Sequence, residues 1–144
     1  RQRQMCIRDS PVGCDIAEED VIPDEIDMMV LPGGMPGTLN LERSAKVNAF
    51  VDYAYENQKL VCAICAAPSI LGHKGMLKGK KAVCFPGFES ELEGAELSDS
   101  FVVTDGNIIT AKGMGSAVKF GIAIGAAFVG EAKMKKIEES LQCS

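Results

Sequence analysis

The stretch Leu60-Val61-Cys62-Ala63-Ile64-Cys65-Ala66-Ala67-Pro68-Ser69-Ile70-Leu71 decides how this chain is read. Leu60 to Ile64 is an apolar run of strand length, of the kind buried on both faces of a sheet. Pro68 suits the first turn of a helix, where its missing N–H costs little. Cys65 therefore falls on a tight bend between strand and helix. A nucleophile on such a bend requires small residues two positions before and after it, as in G-x-S-x-G. Ala63 and Ala67 hold those positions here. A thiol at a helix start is drawn towards thiolate by the exposed N–H groups. The backbone N–H groups of Cys65 and Ala66 are also suited to holding an oxyanion. The alternative is a buried structural thiol, since free cysteine is among the most buried residue types.

The neighbouring chemistry is sparse. Cys62 lies within the strand, and its odd offset from Cys65 puts the two on opposite faces, about 10 Å apart. It reads as core, as does Cys84, and not as half of a redox pair. His73 is the one histidine. It lies about 12 Å from Cys65 at a rise of 1.5 Å per residue. It reads as a surface loop residue near Gly72 and Gly75, and no Cys–His dyad is expected within this chain. One CxxC with a single histidine does not supply the paired ligand clusters of a zinc site, so no metal is expected.

Working outward, Asp27 to Leu31 is a second short apolar run, closed by Pro32-Gly33-Gly34. The N–H groups of that turn are expected to face the same cleft as Cys65. Gly113-Met114-Gly115-Ser116 follows a strand and opens a helix, a geometry that binds anions. For each glycine pair a plain tight turn is the favoured reading without further context. Val47, Phe50, Val51 and Ala54 repeat at helical spacing and predict a helix over about 43–57. Residues 72–79 and 89–96 read as loops, the second one solvated. Residues 82–85 and 101–103 read as strands. Asp105-Gly106-Asn107 predicts a hairpin turn leading into a strand over 108–111. Ser116 is expected to cap a helix running to about Val129, followed by a charged helix over 131–141. Strands alternating with helices predict an α/β fold with a largely parallel sheet and its site at the carboxyl ends of the strands.

Composition agrees with one soluble domain. The chain has 144 residues, 47% hydrophobic and 24% charged, which excludes a mostly disordered or fibrous protein. Its net charge of −5 leaves no basic footprint for nucleic acid. The apolar stretch from Phe120 to Gly130 is too short to span a bilayer, so no membrane segment is expected. Six cysteines without a compact framework, and without a signal segment, point to a reducing cytoplasm. Residues 1–10, RQRQMCIRDS, are basic and polar and lack periodicity. They read as an unrelated or disordered extension, leaving 11–144 as a single, partial domain.

Four stretches together resemble the ThiJ/PfpI family, most closely its Parkinson-disease protein deglycase and glyoxalase branch, over about Val12 to Leu141. They are Val30-Leu-Pro-Gly-Gly-Met-Pro-Gly37 with Asn40-Leu41, Ala63-Ile-Cys-Ala-Ala-Pro68, Lys78-Gly-Lys-Lys-Ala-Val-Cys-Phe-Pro86, and Asp105-Gly-Asn-Ile-Ile-Thr110 through Gly113 to Phe120. The resemblance implies a flavodoxin-like three-layer α/β sandwich that assembles as a homodimer. It makes Cys65 the nucleophile and oxidation-sensitive thiol, with the N–H groups of Gly34 and Ala66 around the reacting oxygen. It implies cofactor-independent glyoxalase chemistry on 2-oxoaldehydes, or deglycase action on their early protein adducts. A redox-responsive, chaperone-like role in oxidative stress, with Cys65 as sensor, is the alternative.

Departures from the family pattern carry expectations of their own. The family's first strand, helix and strand have no counterpart here, and with them goes the glutamate that hydrogen-bonds the nucleophile. Glu18 and Glu19 lie in a different segment. The chain is thus expected to be a truncated copy with impaired activity and an open sheet edge. Ala66 replaces the histidine that follows the nucleophile in peptidase-like relatives. No histidine follows His73, as glutaminase relatives would require. Phe85-Pro86 stands where some members have His-Pro, and Met114 where many have proline.

Overall fold

The computed structural model describes residues 5–7 and 10–142. In chain order its elements are β1 (Met5–Ile7), β2 (Ser10–Val12), β3 (Met28–Leu31), α1 (Gly37–Arg43), α2 (Ala45–Glu56), β4 (Leu60–Ile64), α3 (Pro68–His73), β5 (Lys81–Ala82), β6 (Glu96–Leu97), β7 (Val102–Asp105), β8 (Ile108–Ala111), α4 (Ala117–Val129) and α5 (Glu131–Leu141). The central sheet has the order β3-β4-β8-β7. β3, β4 and β8 run parallel, and β7 closes antiparallel onto β8 through the tight turn at Gly106-Asn107. The fold is α/β with a mostly parallel sheet, consistent with a flavodoxin-like layered sandwich.

Strand alternation sorts side chains between two cores. On one face Leu31, Val61, Ala63 and Ile108 pack against Val51 and Ala54 of α2 and Ile70 and Leu71 of α3. On the other, Cys62, Ile109 and Ala111 meet Phe120, Ala123 and Ile124 of α4. Each fully buried leucine or isoleucine contributes roughly 1.5–3 kcal/mol. The first face closes well, with Val61 and Ala63 fully buried. The outer side of α4 leaves Val118, Phe128 and Val129 exposed.

The structure corrects several expectations. The helix expected over about 43–57 is found as α2, Ala45–Glu56, and a further helix that was not expected, α1, precedes it. Ser44 ends α1 and caps α2, accepting from Val47 N at 3.3 Å. The strand expected over 82–85 is reduced to Lys81–Ala82, because Val83 N donates to the Thr110 hydroxyl rather than to a strand backbone (3.0 Å). The strand expected over 101–103 is shifted to Val102–Asp105 by the hairpin register that pairs Asp105 with Ile108. The segment 89–96 is not wholly solvated: it opens with a 3-10 turn over Glu89–Glu91 and buries Leu92. Within residues 1–10, Met5–Ile7 pairs antiparallel with Ser10–Val12, so part of this stretch carries strand pairing. Residues 1–4, 8 and 9 lie outside the described residues, as do 143 and 144.

Candidate active site

The strand-to-helix bend is built around Cys65. Beyond the last residue of β4, Cys65 N donates to Ala111 O (2.9 Å), extending the contact with β8 by one residue. The chain then reverses with Cys65 at φ +66°. A left-handed conformation at a residue bearing a Cβ costs about 1–2 kcal/mol, which the packing around it must sustain. Two sets of bonds sustain it here. Phe85 N donates to Cys65 O at 2.8 Å, and Ala66 O accepts from both the amide and the hydroxyl of Ser69, at 3.1 and 2.8 Å. The bend leaves Cys65 partly buried as a free thiol.

Gly33 lies against this bend. A Cβ at Gly33 would stand 2.5 Å from Cys65 Cβ, 2.8 Å from Ile64 O and 3.1 Å from Ala66 N. No side chain fits there, so this glycine is required for contact rather than for its dihedral angles. Its neighbour Gly34 has φ +91°. Gly34 O is fixed by the amide and hydroxyl of buried Thr38, at 2.8 and 3.1 Å. Cys65, Ala66 and the Gly33-Gly34 turn thus meet at the carboxyl ends of β3 and β4. The third loop arrives through Gly113, where a Cβ would lie 3.1 Å from the Phe85 ring. Ser116 does not cap α4 as expected. Its hydroxyl closes the Gly113 loop on itself, donating to Gly113 O (2.7 Å) and accepting from Gly113 N (3.1 Å).

The other titratable groups are committed elsewhere. Burial pushes the Cys62 thiol up to about 12. Burial, then the charge of Glu89, pushes Cys84 up to about 11. The Phe88 amide opposes that rise, and the charge of Cys65 adds to it. Both are inert protonated thiols at neutral pH. His73 is the last residue of α3 rather than part of a loop. Its Nδ1 lies 2.5 Å from Glu42 Oε1 and its Nε2 2.8 Å from Glu91 Oε2. The Glu42 and Glu91 hydrogen bonds hold His73 above its ordinary value. Ser44 donates to Glu18 at 3.4 Å, at the start of α2. Among the described residues no group of three or more His, Cys, Asp or Glu side chains is arranged to hold a metal ion. None of their helices is long and apolar enough to cross a membrane. A cavity of about 380 Å³ lies at the opposite end of β3, lined by Cys14, Ile16, Glu18, Met28 and Phe50 among others, and includes no residue of the bend.

Sequence reasoning singled out Cys65, Ala66 and Gly34 and brought the Gly33-Gly34 turn to the same cleft, but it did not give Gly33 its contact role and missed two supports. Gly33, rather than Gly34, is the residue pressed onto the cysteine. Thr38 anchors the turn from α1, four residues on. Phe85 supplies the amide that holds the Cys65 carbonyl. The doubled glycine after an apolar run was the available signal for the first; the other two depend on contacts distant in sequence.

Comparison with known proteins places this geometry. The model of the DJ-1/PfpI family matches residues 2–127. Protein dj-1beta of Drosophila melanogaster is 32% identical over 138 residues, covering 94% of this chain and 74% of that one. Its crystal structure superposes with a TM-score of 0.87 at 31% identity, over 95% of this chain and 75% of that one. A protein named deglycase from Thermococcus kodakarensis is 36% identical over 103 residues; the match covers 70% of this chain and 61% of that protein's length. The oxidized DJ-1 of Toxoplasma gondii superposes with a TM-score of 0.85 at 31% identity, over 93% of this chain and 73% of that one. Agreement of this extent, in sequence and in fold alike, makes the chain a member of the DJ-1/PfpI family.

Proposed function

We propose that this chain is a cysteine-dependent enzyme of glyoxalase or deglycase type, acting without a cofactor on 2-oxoaldehydes or their early adducts on proteins. The observation that carries the reading is the left-handed Cys65, a free thiol on a bend against which Gly33 is pressed. A fold tolerates such strain where position matters, and strained residues cluster at active sites. The deglycase name of the Thermococcus kodakarensis relative supports the same chemistry.

In this reading the Cys65 thiolate adds to the aldehyde carbon of the 2-oxoaldehyde, and its oxygen becomes the anion of a hemithioacetal. The N–H groups of Gly34 and Ala66 hold that oxygen, in a role worth roughly 2.7–4 kcal/mol per donor in other enzymes. The aldehyde hydrogen leaves as a proton and a proton is delivered to the neighbouring carbon, giving a 2-hydroxyacyl thioester. Water then releases the 2-hydroxy acid and returns the thiol. General acid–base help is required for these transfers. The expectation that this help is diminished, with activity impaired, is checked in the same assay: turnover equal to that of another active member of the family removes it. The protein is proposed to work as a homodimer in the cytoplasm. The free thiols at Cys62, Cys65 and Cys84 suit a reducing compartment, and the exposed apolar side of α4 suits association.

The test is formation of lactate from methylglyoxal by the purified chain, with complete loss in Cys65→Ala. Retention of activity in that variant refutes the proposal. A second reading, Cys65 as a redox sensor with chaperone-like output, is favoured by the oxidized state named for the Toxoplasma gondii relative. Reversible sulfenic acid at Cys65 in a chain that turns over no aldehyde selects it.

A further inference from the structure

Three loops converge on the Cys65 bend, and each ends in an exposed apolar side chain. Met35 follows the Gly33-Gly34 turn and is 55% exposed. Phe85, whose amide holds Cys65 O, is 46% exposed. Met114 follows Gly113, which is pressed against the Phe85 ring, and is 74% exposed. Large apolar side chains are left in water at modest cost when scattered. Here three sit on loops joined to one residue: Gly33 lies against the Cys65 Cβ, Phe85 N donates to the Cys65 carbonyl, and Gly113 lies against the Phe85 ring. Exposed apolar side chains on loops beside a reactive residue are a binding feature.

The charges beside these loops point the same way. Glu89 folds back onto Gly87 N at 2.7 Å, placing a carboxylate on the Phe85 loop. Lys112, next to Gly113, turns away instead, donating to Asp99 O at 2.8 Å with its ammonium over the Phe101 ring. The rim therefore offers apolar contact and a nearby negative charge, which disfavours an anionic substrate.

We infer that Met35, Phe85 and Met114 form a specificity rim that selects uncharged 2-oxoaldehydes bearing an aromatic or branched-alkyl group over small or carboxylated ones. This rests on the glyoxalase-type reading for its reaction and adds the substrate class. The Phe85 ring supplies an aromatic face for a substrate ring, and the two methionines supply adaptable thioether contacts of the kind that pack on aromatic rings. An aryl group bound this way is expected to be preferred about tenfold over methyl, the range for hydrophobic discrimination at an enzyme pocket.

The test measures recognition at Cys65 apart from turnover. The intact chain is alkylated with 2-bromoacetophenone and, separately, with bromoacetone, and the rate at Cys65 is followed by mass spectrometry. Each rate is divided by that of glutathione with the same reagent. The aryl-to-methyl ratio is expected near tenfold, falling towards unity in Phe85→Ala and at least threefold in Met114→Ser. Because an unfolded chain reacts as glutathione does and also gives a ratio near unity, each variant is first shown to keep the cooperative urea transition of the unmodified chain, and the rates are read under conditions where it is folded. Met114 is exposed enough that its substitution leaves the core untouched. A ratio near unity in the unmodified chain, or one unmoved by both substitutions, overturns the inference. Consumption of phenylglyoxal and methylglyoxal is measured in parallel. A high alkylation ratio with no aldehyde consumed refutes the glyoxalase reading and leaves the rim standing. Consumption of both without aryl preference refutes the rim alone.

Discussion

The two ends of the short helix α3 are held by the same device and put to different uses. At its start Gly33 presses on the Cys65 bend, and at its end Gly72 presses on the 3-10 turn over Glu89–Glu91. A Cβ at Gly72 would stand 2.0 Å from Glu91 O. At the start the packing leaves a free, partly buried thiol. At the end it closes on His73, which two carboxylates occupy. Close backbone approach is thus a general means of packing this fold. It marks a reactive site only where the residue under strain also carries a nucleophile. The one histidine of the chain is spent on staple duty at the far end, which is why the cysteine has no imidazole beside it.

The largest effect that separates the two ends is on activity. Cys65→Ala is expected to abolish lactate formation, a loss of about 10³-fold or more as for other catalytic nucleophiles. Cys65→Gly should do the same while raising stability to urea by up to about 1 kcal/mol, since glycine adopts φ +66° without strain. A fall in stability for that variant would mean the bend is not strained. Gly72→Ala comes next. The clash is with a backbone carbonyl, so helix and turn must separate, at a cost of about 3 kcal/mol in urea denaturation and with little change in the alkylation rate of Cys65 in the folded fraction. Gly33→Ala should lose roughly 2 kcal/mol and also displace the thiol, lowering stability and the Cys65 alkylation rate together. If Gly33→Ala and Gly72→Ala affect Cys65 reactivity equally, the contrast between the two ends fails.

A smaller effect belongs to His73, about a third exposed between its two acids. Hydrogen bonds donated to Glu42 and Glu91 raise its proton affinity above the ordinary 6.5, so the staple is at full strength below pH 6.5 and is lost as pH rises through the raised value. Glu91 is lowered from 4.5 by its bond to His73, so its part is present above pH 4.5 and lost as pH falls through the lowered value. Stability from this cluster is therefore expected to peak between about pH 4.5 and 6.5. The peak should flatten in His73→Gln when urea midpoints are compared across pH. An unchanged profile in that variant would show that the staple carries nothing.

Local chemistry made much of this molecule legible. Apolar runs of strand length gave β3, β4 and β8, and Asp105-Gly106-Asn107 gave the hairpin, because both signals act within a few residues. The stripe of Phe50, Val51 and Ala54 gave the buried face of α2, but not the break at Ser44. That break turns on a hydroxyl caught between capping Val47 and meeting Glu18. The strand expected over 82–85 failed for a similar reason: Thr110, distant in sequence, takes the bond that strand pairing would have used.

The sequence by itself determined that a cysteine stands where a strand runs into a helix, with small residues on either side. Size and proline placement are local properties, and they suffice for that. Only the tertiary structure decided what touches this cysteine. The pressure of Gly33, the amide of Phe85, the Gly113 loop and the capture of His73 by Glu42 and Glu91 join residues far apart in the chain. Such contacts exist only once the strands have taken their order in the sheet, because the parallel register of β3, β4 and β8 is what carries their loops to the same end.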